Sequence, residues 1–494
     1  LNFDALVSKK IKKGFSYQND ITKIAENFEA FVLIMKIHLI AIGGAAMHNM
    51  AIALSQKGFI VSGSDDEINE PSASRLKNAG LLPEAIGWFP EKITHQLDAV
   101  ILGMHAKADN PELQQAIALG IPVYSYPEYI YEQSKNKTRI VIGGSHGKTT
   151  ITAMILHVVK NVGIDFDYMV GSQIAGFDTM VKLSNAPLII VEGDEYLSSP
   201  IDRRPKFHLY QAHIGLISGI AWDHINVFPT FENYVAQFSI FANALPADGQ
   251  LIYCTNDDEV KKVALQSTSL ATKKSYTIPP HKIIDGITYI ANVKQSDEMP
   301  LEFNIPLQIF GNHNLMNLEG ARLVCEAIGI QTNMFYQHIT TFTGAARRLE
   351  KVMQKQGFVM FKDFAHAPSK VLATTQAVKH QYSQYYIIAC MELHTFSSLN
   401  PAFLMQYNET LAAADLALVY YNHHTVEHKK LTPISKETVA SAFGIEVNQV
   451  FTNTNEMINK IKQNITNKTV LLMMTSGTFD GLNFDKLGQQ LAAS

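Results

Sequence analysis

The sequence predicts an α/β protein of three domains, and three observations carry that expectation. Apolar runs of strand length alternate with helix-length runs along nearly the whole chain. Two strand-like runs end in glycine turns that open a helix, at Gly43-Gly44 and at Gly143-Gly144. The 494 residues, at the usual ~100–200 per domain, leave room for about three cores.

Hydrophobic residues make up 47% and charged ones 17%, enough apolar material for several interiors, which excludes disorder, collagen and coiled coil. Forty-one basic against 45 acidic side chains give a net charge of -4, so no basic field exists for gripping a nucleic-acid backbone. Cys254, Cys325 and Cys390 are far apart and form no CxxC pair, so neither a disulfide framework nor a structural zinc site is expected, and a reducing cytoplasm is. Apolar runs such as Ala30 to Met35 stop well before the roughly eighteen residues of a membrane span, which predicts a soluble protein.

Residues 1–34 mix five Lys with four acids around weak helical periodicity and lack the layout of a signal peptide. The pattern sharpens at Met35, where translation is expected to start, leaving 1–34 as a read-through or an appended helix. A Rossmann-like domain is expected over 35–137, with strands at Ile37 to Ile42, Phe59 to Ser62, Ala99 to Leu102 and Ile121 to Tyr124. Its helices are Met47 to Gln56, Ser72 to Ala79 and Pro111 to Leu119. Gln133 to Thr138 reads as a linker. A central nucleotide-handling domain follows over 138–330, with strands at Arg139 to Gly143, Leu188 to Val191, Ile214 to Ile220 and Gln250 to Cys254, and a closing helix at Asn314 to Ile328. The third domain, 331–494, alternates again through strands at Val359 to Phe361, Tyr386 to Cys390, Leu416 to Tyr420 and Val470 to Met474.

Gly143-Gly144-Ser145-His146-Gly147-Lys148-Thr149-Thr150 leaves a strand and opens a helix, the context that makes a GK[ST] sequence meaningful. Backbone N–H groups at a helix start cradle phosphate, Lys148 neutralises it and a threonine hydroxyl ligates Mg²⁺. Ile142 occupies the position of the first glycine of an ordinary P-loop, so the spacing is GxxGKTT. The buried run Leu188 to Val191 ends in Glu192-Gly193-Asp194-Glu195, and Ile214 to Ile220 ends near Trp222-Asp223-His224. Ligands of open parallel sheets bind at such carboxyl ends, so a hard oxygen from Glu192 and a group from the second strand would complete a Mg²⁺ site begun by Thr149.

Taken together, GSHGKTT, the EGDE turn, WDH and Gly311-Asn312-His313-Asn314 resemble, in order and spacing, the Mur ligases, ATP-dependent amide-forming enzymes of peptidoglycan synthesis. Further matches are Gly344-Ala345-Ala346-Arg347-Arg348-Leu349-Glu350 and Asp363-Phe364-Ala365-His366-Ala367-Pro368. The resemblance spans essentially everything after Met35. It implies transfer of the γ-phosphoryl of ATP to a carboxylate, followed by displacement of phosphate by an amine. Lys148, Glu192 and His224 would carry the chemistry, with Thr149, Glu192 and His224 on metal and Gly144 to Thr150 around the phosphates. Arg348 and Asp363 would meet ATP phosphate and ribose, and Asn314 the adenine side. Gly43, Gly44, Ser64 and Asp65 fall in stretches resembling the branch whose donor is UDP-N-acetylmuramic acid. Asp194-Glu195-Tyr196, Asp202 to Tyr210 and Phe364-Ala365-His366 resemble the recycling members, whose acceptor is the tripeptide L-Ala-γ-D-Glu-meso-diaminopimelate. Free L-alanine is the alternative acceptor, and a non-catalytic ATP-binding regulator the alternative to an enzyme.

The chain departs from the family at Met391 to Ser398, where relatives present an arginine and none occurs, and at Lys362 and Ala367. Ile225 to Leu245 contains no lysine, so a carbamylated-lysine metal bridge is not expected. Two rivals are weaker. A dehydrogenase would use Gly43-Gly44 and Asp65, but a strict GxGxxG is missing. His424-Thr425-Val426-Glu427-His428 matches a zinc-peptidase HxxEH, but its setting reads as a polar surface loop.

Overall fold

The computed structural model describes residues 34–222, 227–291, 302–344 and 349–493. The chain forms two compact units, one ending at Tyr124 and the other beginning at Ser125.

The first unit holds β1 (Lys36–Ile40), β2 (Ile60–Ser64), β3 (Ala99–Leu102) and β4 (Val123–Ser125) in the order β2-β1-β3-β4. Strand β1 runs parallel to both β2 and β3, which needs crossover connections: Ala45–Gln56 leads from β1 to β2, and Ser72–Asn78 lies in the connection from β2 to β3. The helix Pro111–Ala118, which follows β3, starts where Asn110 accepts the N–H groups of Glu112 and Leu113 and Pro111 fills the first helical position. Its Leu113 and Ala116 pack on Ile40, Val100 and Leu102. Inside this packing His38 Nε2 lies 3.1 Å from Glu112 Oε2, with both side chains fully buried. The Phe89 N–H donates to the other Glu112 oxygen at 2.7 Å. Burial opposes ionisation of Glu112, but the hydrogen bonds from His38 and Phe89 outweigh it and hold the carboxyl below its ordinary 4.5.

The second unit opens with a helix that the sequence reading passed over, Tyr126–Ser134. Ser125 and Glu128 form a reciprocal capping box and Pro127 stiffens the first turn, so the expected linker Gln133 to Thr138 shrinks to residues 135–137. Seven strands then build the central sheet: β5 (Thr138–Gly143), β6 (Asp167–Met169), β7 (Val181–Lys182), β8 (Leu188–Glu192), β9 (Ile214–Ile217), β10 (Gln250–Cys254) and β11 (Thr272–Tyr276). Their order is β11-β10-β9-β5-β8-β6-β7, parallel throughout except at the β6–β7 edge. Ile140, Val141 and Ile142 of central β5 have no exposure on either face, which accounts for their unbroken apolar run.

A small antiparallel sheet was not anticipated: β12 (His281–Ile284), β13 (Ile287–Ala291) and β14 (Phe303–Leu307). Asp285 and Gly286 both have positive φ, 51° and 74°, and form the two-residue turn that matches strand twist. Gln381 pins this sheet to the helix Pro368–Gln381, donating to Gly286 O at 2.6 Å and accepting from Thr288 Oγ1 at 2.9 Å.

The last sheet comprises β15 (Glu350–Lys355), β16 (Phe358–Asp363), β17 (Tyr386–Leu393), β18 (Leu416–Tyr421), β19 (Val450–Phe451) and β20 (Thr469–Met474). It is ordered β15-β16-β20-β17-β18-β19 and parallel apart from β15. Along β17, Ile387, Ala389 and Met391 point into one apolar cluster, and Ile388 and Cys390 into the other. This unit thus holds three separate sheets, of seven, three and six strands. The HxxEH segment is not the loop expected: Asn422 caps a helix over His423–His428 that brings the rings of His424 and His428 to 6.3 Å. Among the described residues no group of three or more His, Cys, Asp or Glu could hold a metal ion, and no helix is long and apolar enough to cross a membrane.

The buried His38–Glu112 pair makes a pH-dependent prediction. A carboxyl held below its unfolded value stabilises the fold fully above that value, and the benefit fades as pH falls through the folded one. Glu112→Gln should cost about 1–3 kcal/mol at pH 7 and flatten the stability profile below pH ~4.5. Urea unfolding from pH 7 to pH 3 measures this, and parallel profiles for the two proteins would contradict it.

Candidate active site

The site begins at the carboxyl end of β5, where the chain turns through Gly143 to Gly147 into the helix Lys148–Val162. This helix has no acidic residue in its first turn and no side-chain cap, so its first N–H groups and the positive end of its dipole are available to an anion. Gly144, at φ 129°, lies so close to Ser218 that a Cβ would fall 2.2 Å from Oγ. Gly147 sits at φ 79°, where a Cβ would fall 2.3 Å from Asn317 Oδ1. Both positions therefore require glycine. Hydrogen bonds from Ser145 N to Gly219 O at 2.9 Å and from Ala221 N to Ser145 Oγ at 2.8 Å tie the loop to the end of β9, and Ser218 Oγ donates to His146 O.

Lys148 Nζ donates to Gly144 O and to Glu195 Oε2, each at 2.6 Å. Burial disfavours its charge, but the carboxylates of Glu195, Asp194 and Glu192 more than offset that and raise its pKa. Asp194 is pulled down against burial by Lys206 and Lys148, and Lys206 Nζ donates to it at 2.6 Å. Thr149 Oγ1 donates to Glu192 Oε1 at 2.8 Å, while the Gly171 N–H holds the other oxygen at 2.9 Å. A hydroxyl and a carboxylate in contact at the mouth of a phosphate cradle are hard oxygen donors of the type Mg²⁺ takes, so the residues present fit that ion.

Lys148, Thr149 and Glu192 line a cavity of about 290 Å³ whose far wall comes from the helix Asn312–Ala327 and from β16. Asn314 lines it, but its amide donates to Phe310 O at 3.0 Å. Asp363 also lines it, with both oxygens engaged: Ala365 N–H donates to Oδ1 at 2.6 Å and Leu349 N–H to Oδ2. The residue so held, Leu349, has φ 45°, so Asp363 fixes an uncommon backbone turn at the cavity rim. Ser145, His146, Gly147, Lys148, Thr149, Thr150 and Glu192 line the cavity as well. The expected His224 and Arg348 lie outside the described residues. In the first unit, the Gly43 N–H donates to Asp65 Oδ2 at 2.6 Å, and Ser64 O accepts from Ala41 N at 2.9 Å and Ile42 N at 3.1 Å. The bond from Gly43 lets Asp65 shape the Gly43-Gly44 turn, and burial raises its pKa even against the N–H groups of Gly43 and Glu67.

Sequence reasoning quoted Glu195 in the acidic turn without giving it a place in the site, and it missed Ser218 and Asn317 altogether. Glu195 was legible as a carboxylate past a buried strand. Ser218 and Asn317 carry no local signal, because their importance lies in how closely the glycines approach them.

A family model described as the Mur ligase middle domain matches residues 142–325, and one described as Mur ligase family, catalytic domain matches 36–138. The UDP-N-acetylmuramate--L-alanine ligase of Clostridium kluyveri is 30% identical over 377 residues, 74% of this chain and 79% of that protein. Among solved structures, the UDP-N-acetylmuramate-alanine ligase of Thermotoga maritima superimposes with a TM-score of 0.64 at 18% identity, covering 93% of this chain and 98% of its own. A murein peptide ligase of Psychrobacter arcticus gives 0.60 at 20% identity, with the same coverages.

The glycine cradle generates a direct test. Gly147→Ala should weaken ADP binding about tenfold or more through strain and the clash with Asn317. Adding Asn317→Ala should restore part of that loss by removing the clash while the left-handed strain remains. Calorimetric titration of ADP into the single and double variants measures both effects, and equal affinities for parent and Gly147→Ala would refute the cradle.

Proposed function

The chain belongs to the Mur ligase family, and on that premise we propose that it is an ADP-forming ligase joining the lactyl carboxylate of UDP-N-acetylmuramic acid to an amine. The observation that carries the reading is the juxtaposition of Lys148, Thr149 and Glu192 at a glycine cradle open to an anion.

A carboxylate and an amine form only a salt in water, so the acid is first activated. The γ-phosphoryl group passes to a carboxylate oxygen as its bond to the β-phosphate oxygen breaks. The amine nitrogen then attacks the acyl carbon, phosphate leaves with the C–O electron pair, and the nitrogen gives up a proton. Negative charge concentrates on the moving phosphoryl group, so the protein's share is positioning and charge stabilisation. Lys148 and the helix-start N–H groups supply positive charge there. Thr149 and Glu192 would hold Mg²⁺, which when bound neutralises phosphate oxygens. Gly43, Gly44, Ser64 and Asp65 form the turn we assign to the UDP-sugar.

For the acceptor we favour L-alanine, the amine in the name of the Clostridium kluyveri relative, over the tripeptide that local motifs suggested. The tripeptide is kept as a second reading on one observation. The loop after Glu195 presents the exposed Arg203 beside Arg204, and since Asp202 at 2.6 Å and Glu128 at 3.2 Å already engage Arg204, Arg203 is the cation offered to a longer, anionic acceptor.

Phosphate release from Mg-ATP and UDP-N-acetylmuramic acid separates the two. Release that depends on L-alanine supports the first reading, release that depends on L-Ala-γ-D-Glu-meso-diaminopimelate the second, and release with neither removes both. Lys148→Ala should lower the rate by about 10²-fold or more with an unchanged far-ultraviolet spectrum, and retained turnover would refute its role.

A further inference from the structure

A phosphate-binding lysine carries its charge on a four-carbon stem with four rotatable bonds, so something must fix where the ammonium sits. Here two of its three N–H groups are committed, one to Gly144 O and one to Glu195 Oε2, both at 2.6 Å. Lys148 itself lines the cavity. A carboxylate can swing about its own bond to the chain, so Glu195 would be a poor anchor unless its second oxygen were fixed. That oxygen, Oε1, accepts from the Tyr234 hydroxyl at 3.0 Å. Glu195 is 1% exposed and Tyr234 wholly buried, so water does not compete for these bonds.

Tyr234 is held in turn. Its ring packs against Phe228 and Phe238 at centroid distances of 5.5 and 5.3 Å. It lies in the helix Phe231–Asn243, which starts where Thr230 Oγ1 accepts the Asn233 N–H at 3.2 Å. The chain of contacts thus runs from a rigid aromatic cluster, through one hydroxyl and one carboxylate, to the ammonium.

We propose that Tyr234 and Glu195 are positioning residues that set the Lys148 ammonium before nucleotide arrives, so that its remaining N–H and its charge serve the phosphates of the ligand. This deepens the ligase reading and rests on it. Neither residue touches the nucleotide; both act through Lys148, and they raise the affinity that phosphate groups add to a nucleoside.

The test is the ratio of ADP to adenosine affinity, measured calorimetrically on the full chain for the parent, Tyr234→Phe and Glu195→Gln. Tyr234→Phe keeps the ring packing and the net charge and should lower the ratio by about five- to tenfold, with adenosine affinity unchanged. Glu195→Gln should lower it at least as far. A ratio unchanged in Tyr234→Phe overturns the proposal. So does a ratio that rises in Glu195→Gln, which would make the carboxylate a competitor of phosphate. Where one variant does not fold, the other decides. Failure of the underlying reading is distinct: the parent protein itself would then bind ADP no more tightly than adenosine.

Discussion

The ammonium of Lys148, set among three carboxylates, organises the phosphate-loop end of the second unit. Lys148 stands against Glu195, with Asp194 and Glu192 close enough to hold its charge, and burial alone would expel it. The cluster persists because each acid is itself satisfied: Glu192 by Thr149 and Gly171, Glu195 by Tyr234, and Asp194 by Lys206. A buried set of charges is tolerable only when every lone pair is engaged. That requirement explains why the acidic turn after β8 and the loop after β5 must meet, while Gly144 and Gly147 let that loop lie against Ser218 and Asn317.

Parallel topology makes such a meeting possible. Strands running the same way bring all their carboxyl ends to one edge, and the helices that follow bring their N-termini there. In the central sheet that edge holds Gly143 and Glu192. In the last sheet, Asp363, Met474 and Met391 stand level across β16, β20 and β17, and the Thr475 N–H donates to Asp363 O at 2.9 Å. The cavity lies where the Asp363 end of β16 faces the phosphate loop, with His146 Nε2 lying 3.1 Å from Ser369 Oγ across it.

Much of this was legible in the sequence, and the reason differs from part to part. Parallel strands buried on both faces read as bare apolar runs, so Arg139 to Gly143 and Leu188 to Val191 were found nearly to the residue. The phosphate loop was found because its chemistry is local in sequence. Tyr126–Ser134 was missed because its polar, tyrosine-rich composition carries weak periodicity, although Ser125-x-x-Glu128 announced its start. The hairpin at Asp285-Gly286 went unread, although Asp-Gly between apolar residues is a two-residue turn signal. The acceptor was read differently from motifs and from whole-chain similarity, since Asp202 to Tyr210 is short while similarity to the Clostridium kluyveri ligase runs through most of the chain. Ser218, Asn317 and Tyr234 could not be found from sequence at all, because each matters through a contact with a distant partner.

The Gln381 clasp on the hairpin has a mechanical consequence. Its two hydrogen bonds bind β13 and the preceding turn to the helix that leaves Asp363. The hairpin is covalently part of the central segment but is fastened to the last one. Any swing of the six-stranded sheet that preserves the clasp must carry the hairpin along as cargo. Fold and chain would thus be partitioned by different rules, one set by connectivity and the other by what is held together when the parts move.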